Sequence, residues 1–162
     1  MRKNYGFTFL IILTFISCVN RNISNSESNL RIPNYEVKIE NFYGAEGITL
    51  KWYITKDSIK VIYNCDFVGC KDTLLFSKLI DTNSSKIYYN NLKKIPLNKL
   101  KKEYDNSSIM DGLYERIEVK KVYEKDVNIN LHMIQKSEID DLYKLTDSLL
   151  LKNTKFKINQ KN

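Results

Sequence analysis

Histidine occurs once in this chain, at His132, and cysteine three times, at Cys18, Cys65 and Cys70. That scarcity excludes much. A zinc site built on Cys65 and Cys70 needs two more ligands, and His132 is the sole histidine. A thioredoxin-like redox site needs Cys-x-x-Cys at a helix start, whereas these two cysteines are separated by four residues. There is no glycine-rich phosphate loop and no calcium loop. No apolar run reaches the roughly 20 residues a membrane-spanning helix requires. No repeat with a period of about 20–50 residues is visible. We therefore expect no cofactor and no metal.

What is present is concentrated at the amino terminus. Arg2 and Lys3 precede an apolar core from Phe7 to Ile16, followed by Ser17 and Cys18. Charge, short apolar core and small residue make a cleaved secretory signal over residues 1–17. The segment from Val19 to Asn34 is rich in Asn and Ser and too polar to bury a core, so residues 18–34 read as an attachment point and flexible linker. Residues 35–162 then suffice for one domain and not for two.

The run Phe15-Ile16-Ser17-Cys18 resembles the lipobox of bacterial lipoproteins. The resemblance implies cleavage before Cys18, lipid attachment at Cys18, and retention in the bacterial envelope. Val19 stands where an inner-membrane retention Asp would follow the cysteine, and Val19-Asn20-Arg21-Asn22 lacks the acidic cluster of surface-exported lipoproteins. The implied address is the outer membrane, facing the periplasm. Several acyl chains on one residue hold a protein firmly, since each buried CH₂ contributes about 0.8 kcal/mol.

Loss of Arg2 and Lys3 lowers the formal charge from +7 to +5. Lysine dominates, with only Arg21, Arg31 and Arg116 remaining after cleavage, and nucleic-acid readers usually lean on arginine. An exported location argues the same way, so no nucleic-acid partner is expected. Lys93, Lys94, Lys99, Lys101 and Lys102 cluster around one expected helix, as a solvated face or as a patch for anions or membrane.

Alternating apolar residues mark strands through Val37 and Ile39; Leu50, Trp52 and Ile54; Ile59, Val61, Tyr63 and Cys65; and Leu74 and Phe76. A fifth short strand is expected through Ile87 and Tyr89. Pro96 suits a first helical turn, with Leu97, Leu100 and Tyr104 on one stripe. After Asp111-Gly112, Ile117, Val119 and Tyr123 and then Val127, Ile129 and Leu131 form a hairpin turned at Glu124-Lys125-Asp126. Ser137 is the expected N-cap of a second helix buried along Ile139, Leu142, Leu145 and Leu149, with Phe156 and Ile158 in a last edge strand. The expected fold class is α+β: a mostly antiparallel sheet with two helices packed on one face.

The stretch from Ile59 to Leu79, with Asn64-Cys65-Asp66 and Cys70-Lys71-Asp72, resembles small uncharacterised lipoproteins of flavobacteria and their relatives in the Bacteroidota. That implies lineage and no catalytic residue.

Pairing the flanking strands sets Cys65 opposite Cys70, Tyr63 opposite Asp72, Val61 opposite Leu74 and Ile59 opposite Phe76. In an oxidising periplasm Cys65 and Cys70 are then candidates for a disulfide, with two free thiols as the alternative. His132 falls on the polar face of its strand with Asn128 and Asn130, as a surface histidine without a motif to supply a nucleophile or orienting carboxylate. The acid pairs Asp66 and Asp72, and Asp140 and Asp141, fit a loop and a helix amino terminus as well as catalysis. Tyr53, Tyr88 and Tyr89 are expected on the outer side of the sheet, packed across strands or as a binding patch. Three readings follow. The first is a lipid-anchored binding or accessory module without catalysis, its partner an envelope protein, peptidoglycan or another glycan. The second is a small periplasmic hydrolase or redox enzyme using Asp72, His132 or the cysteines. The third is an immunity-type inhibitor of a toxin.

Overall fold

A computed structural model describes residues 32–43, 47–65, 69, 71–106, 108, 112–150 and 158. The expected signal, Cys18 and most of the expected linker lie outside them, as do Asp66, Cys70, Asp111 and Phe156. One compact unit spans Ile32–Asn162. The architecture is α+β, as expected.

Among the described residues the element order is β1 (Glu36–Tyr43), β2 (Ile48–Thr55), β3 (Ser58–Cys65), β4 (Thr73–Leu79), α1 (Thr82–Leu92), β5 (Glu103–Asp105), β6 (Leu113–Lys120), β7 (Val127–His132) and α2 (Ser137–Asp147). The seven strands form one sheet in the order β4-β3-β2-β1-β6-β7-β5. Every pairing is antiparallel except β5 with β7.

The alternation of apolar residues explains the sheet's two faces. Phe76, Val61, Trp52, Ile39, Ile117 and Ile129 line up across six strands on one face. Beside them run Ile59, Ile54, Val37, Val119 and Val127. All but Phe76 are buried, and they share one core with Tyr88 and Leu92 of α1 and Ile139, Leu142 and Tyr143 of α2. Each large apolar side chain buried here contributes about 1.5–3 kcal/mol. Both helices therefore cover the same face, and the opposite one carries Lys38, Glu40, Lys51, Tyr53, Arg116, Glu118 and Asn130.

Several local expectations are corrected. The first concerns Ile87 and Tyr89, which belong to α1 and not to a strand. Asp81 caps this helix: its Oδ1 accepts from the Ser84 amide at 2.9 Å and its Oδ2 from the Ser84 hydroxyl at 2.6 Å. Ser85, Tyr88 and Leu92 then fall on its buried stripe. Two apolar residues two apart cannot separate the two periods. Tyr88 and Tyr89 consequently leave the outer sheet face and stack on Tyr35 instead, at 5.8 and 5.6 Å between ring centres.

Second, the helix expected after Pro96 is only a short 3-10 turn over Leu97–Lys99. The chain then extends, and Glu103, Tyr104 and Asp105 pair with Asn130, Leu131 and His132. Backbone bonds from the Asn130 amide to Lys102 O (2.8 Å) and from the Asn106 amide to His132 O (3.3 Å) favour the strand over the helix.

Third, β3 and β4 pair in a different register. Val61 faces Phe76 and Ile62 faces Leu74, so Leu75 is an extra residue in a bulge. The bulge turns Leu74 to solvent while Leu75 and Phe76 pack on the core. Tyr63 faces Thr73, not Asp72, and Ile59 faces Lys78.

Fourth, Lys136 and not Ser137 occupies the cap position of α2, with no side-chain cap bond; the Ser137 hydroxyl donates to Glu138 instead. Leu149 is buried as expected, beyond the helix end, and Thr146 and Tyr143 join the stripe ahead of the half-buried Leu145. Tyr123 lies past the end of β6, where its hydroxyl donates to Leu92 O (3.0 Å) and Ile95 O (2.6 Å). It thereby ties the turn after α1 to the end of β6, adding to the Ile95 and Leu97 amides that already donate to these two carbonyls. Ile158 is a bend, not a strand residue. No helix among the described residues is long and apolar enough to cross a membrane.

Candidate functional site

Residues that alternate away from the core meet in a cleft of about 630 Å³, most of whose lining belongs to the helix-free face of the sheet. β1 contributes Glu40 and Phe42, β2 Thr49 and Lys51, β6 Tyr114 and Arg116, and β7 Asn130 and His132. Asn64 closes one side and Asp105 the other.

Glu40 is the electrostatic centre of this face. Its carboxylate lies 3.1 Å from Lys38 Nζ, 3.5 Å from Lys51 Nζ and 3.8 Å from Arg116 Nη1. The register places Glu40 opposite both Lys51 and Arg116, so the cluster follows directly from the strand pairing. Arg116 also donates from Nε to Asn130 Oδ1 at 3.4 Å, yet its side chain remains 60% exposed. It is a guanidinium held in place and still open to a ligand.

His132 is not the surface histidine expected. It is 7% exposed, stacked face to face on Tyr114 at 4.0 Å and 3°. Its Nδ1 lies 2.7 Å from Asp105 Oδ1. Two structural causes combine. Tyr114 faces His132 across β6–β7, and Asp105 faces it across β5–β7. A neutral ring donates its Nδ1 proton to the carboxylate and leaves Nε2 with a lone pair. That Nε2 is buried and has no hydrogen-bond partner among the described residues.

The lining combines aromatic, amide and charged groups. Tyr114, 41% exposed, offers an aromatic surface. Asn64 and Asn130 offer amide donors and acceptors, Arg116 and Lys51 positive charge, and Glu40 and Asp105 negative charge. Among the described lining residues there is no serine or cysteine, and the one threonine, Thr49, is buried. With Nε2 covered, the histidine does not reach a ligand in the cleft as the site stands.

The other sequence candidates sit elsewhere. Cys65 ends β3 and is disulfide-bonded; Cys70 and Cys18, the expected site of lipid attachment, lie outside the described residues. Asp72 accepts a hydrogen bond from Asn64 across the hairpin, and Asp66 lies outside the described residues. Asp140 accepts from Gln135 and Asp141 pairs with Lys144, so these acids face different partners. Lys93, Lys94, Lys99, Lys101 and Lys102 are all exposed, in the connection from α1 to β5. Among the described residues no group of three or more His, Cys, Asp or Glu side chains is placed to hold a metal ion. Tyr53 is the one expected outer-face tyrosine found there, 5.8 Å from Lys38 Nζ.

Sequence reasoning missed Glu40, Tyr114, Arg116 and Asp105. The first three were accessible, because each alternates with core residues of its strand. Asp105 was not, since its strand was read as helix. No protein-family model matches the chain, and no curated protein matches it.

Proposed function

We propose that this chain is a lipid-anchored envelope protein, held at Cys18 on the periplasmic side of the outer membrane, whose domain binds a polar partner without transforming it. The observation that supports the reading is the cleft on the helix-free face. It joins an exposed tyrosine, two amides and a guanidinium anchored by Glu40, and its histidine nitrogen is closed off. Aromatic surface plus amides and paired charges suit a glycan or glycopeptide, and peptidoglycan combines sugars with charged peptide.

The test is co-sedimentation of purified domain with peptidoglycan sacculi, alongside capture of the anchored protein from its own envelope. Arg116→Glu and Asn130→Ala should lower the bound fraction severalfold while the protein stays folded. Cleft variants that bind every captured partner as tightly as the parent would sink the reading. For the anchor, Cys18→Ser should move the protein from the detergent phase to the aqueous phase.

One observation favours a second reading, a small hydrolase: the 2.7 Å contact between His132 and Asp105 beside a cleft. A swing of the ring about its Asp105 bond would bring Nε2 to a water and make the pair a general base. Turnover of any peptidoglycan fragment that disappears in His132→Ala selects that reading over simple binding.

A further inference from the structure

The helix-covered side holds a second, smaller cavity of about 290 Å³, near the low end of the range for small-molecule sites. Leu113, Met133 and Ile139 give it an apolar wall, and Glu115, Asp140 and Tyr143 its polar groups. Glu115 is set on the core-facing side of β6, directly opposite the buried Asn41. Burial raises its carboxyl pKa above the ordinary value, with Asp140 adding to the effect. Tyr143 is only 6% exposed, and its hydroxyl faces the Glu115 carboxyl without a well-formed hydrogen bond. Asn41 Oδ1 is likewise buried without a partner among the described residues.

The lining is unbalanced in charge. It sets two carboxylates, Glu115 and Asp140, against one ammonium, Lys136, which sits 4.4 Å from the Tyr104 ring centre. Asp140 already accepts from Gln135 Nε2 at 3.2 and 3.0 Å, which leaves Glu115 as the carboxylate beside the buried Tyr143 hydroxyl, unpartnered among the described residues. A positive donor on a short apolar body complements both that corner and the apolar wall.

We propose that this cavity binds a primary alkylammonium ion, its –NH₃⁺ between Glu115 and the Tyr143 hydroxyl and its chain against Leu113, Met133 and Ile139. The titratable groups lining the cavity are Glu115 from β6, Asp140 and Tyr143 from α2, and Lys136 from the segment before α2, with Tyr43 of β1 an electrostatic neighbour of Tyr143. Ionised Glu115 is the form that pairs with it, so affinity rises as pH climbs through the carboxyl's elevated titration. Glu115 also lines the larger cleft, whereas Tyr143 belongs to this cavity and not to that one. Tyr143 therefore separates the two sites experimentally.

The test is a titration of isotopically labelled protein with n-butylammonium chloride and, separately, with butan-1-ol, followed by amide chemical shifts. Saturable shifts are expected at Leu113, Glu115, Met133 and Tyr143, with the ammonium bound at least about tenfold tighter than the alcohol. Glu115→Gln should erase that preference. Tyr143→Phe should weaken ammonium binding severalfold, with dispersed spectra showing the fold intact and sacculus binding unchanged. Equal affinity for amine and alcohol, unsaturable shifts spread over the surface, or full ammonium binding by Glu115→Gln would each overturn the proposal.

Discussion

Asp105 and His132 are cross-strand neighbours in the parallel pair β5–β7, and their side chains meet at 2.7 Å, Oδ1 to Nδ1, across 27 residues of sequence. The contact ties the edge strand β5 to the floor of the cleft. Asp105→Ala leaves a buried ring nitrogen unpaired. Because the carboxylate itself is more than half exposed, we expect a loss of only about 1 kcal/mol. Asp105→Asn keeps an acceptor and should retain most of that stability. Urea unfolding of the three proteins measures the difference.

Tyr123 closes the end of α1 from outside the helix. Tyr123→Phe removes the donor to Leu92 O and Ile95 O and should cost about 1 kcal/mol in urea unfolding. Burial pushes the Tyr123 hydroxyl up to about 12. The unfolded phenol ionises first, near about 10, so the parent should lose stability as pH rises from there toward the folded value. The Phe variant should lack that part of the alkaline slope.

Glu115 predicts a slope at the other end of the scale. Its folded pKa is raised by burial, so at low pH both states hold the proton and no penalty exists. As pH rises through the ordinary carboxylate range the unfolded state ionises first, and stability falls until the folded carboxyl ionises too. Glu115→Gln should flatten that fall. A midpoint in urea that varies with pH in the variant as in the parent contradicts the assignment.

Lys121 has a left-handed backbone, φ 61°, in the turn between β6 and β7, where its amide donates to Asp126 Oδ1. Such a conformation costs a non-glycine residue about 1–2 kcal/mol, partly offset by the extra chain entropy glycine brings. Lys121→Gly should therefore stabilise the domain by about 0.5 kcal/mol, read as a higher melting temperature.

Cys65 is disulfide-bonded, and Cys70 is the expected partner. Thiol labelling of the native protein without reductant should leave both unlabelled, and reductant should expose both. Cys70→Ser should then make Cys65 reactive. A loop this short places the stabilisation at the low end of the usual range, about 2 kcal/mol or less.

The sheet was largely legible in the sequence because its evidence is local. Val37 and Ile39, Trp52 and Ile54, Ile117 and Val119 each alternate with polar neighbours, and a period of two fixes which side faces the core. The outer residues Glu40, Arg116 and Asn130 were present in the same pattern as the complementary parity. Tyr88 and Tyr104 show where local evidence ran out. Short aromatic segments fit either period, and only the partner decides: Thr146 and Tyr35 receive Tyr88 in a helix, while Leu131 faces Tyr104 across a parallel pair. The bulge at Leu75 was equally hidden, because one extra residue leaves composition unchanged while altering which faces meet.

By itself, then, the sequence determined the leader-like start, the α+β class, which strand residues turn inward and the scarcity of metal and redox ligands, since each depends on residue type and short-range spacing. Tertiary structure alone decided that His132 is buried, that Asp105 reaches it, that four strands pool their outward residues into one cleft, and that Glu115 faces Tyr143. Those are encounters between segments distant along the chain. Their geometry is set by strand order and register, which long-range burial selects and no local pattern encodes.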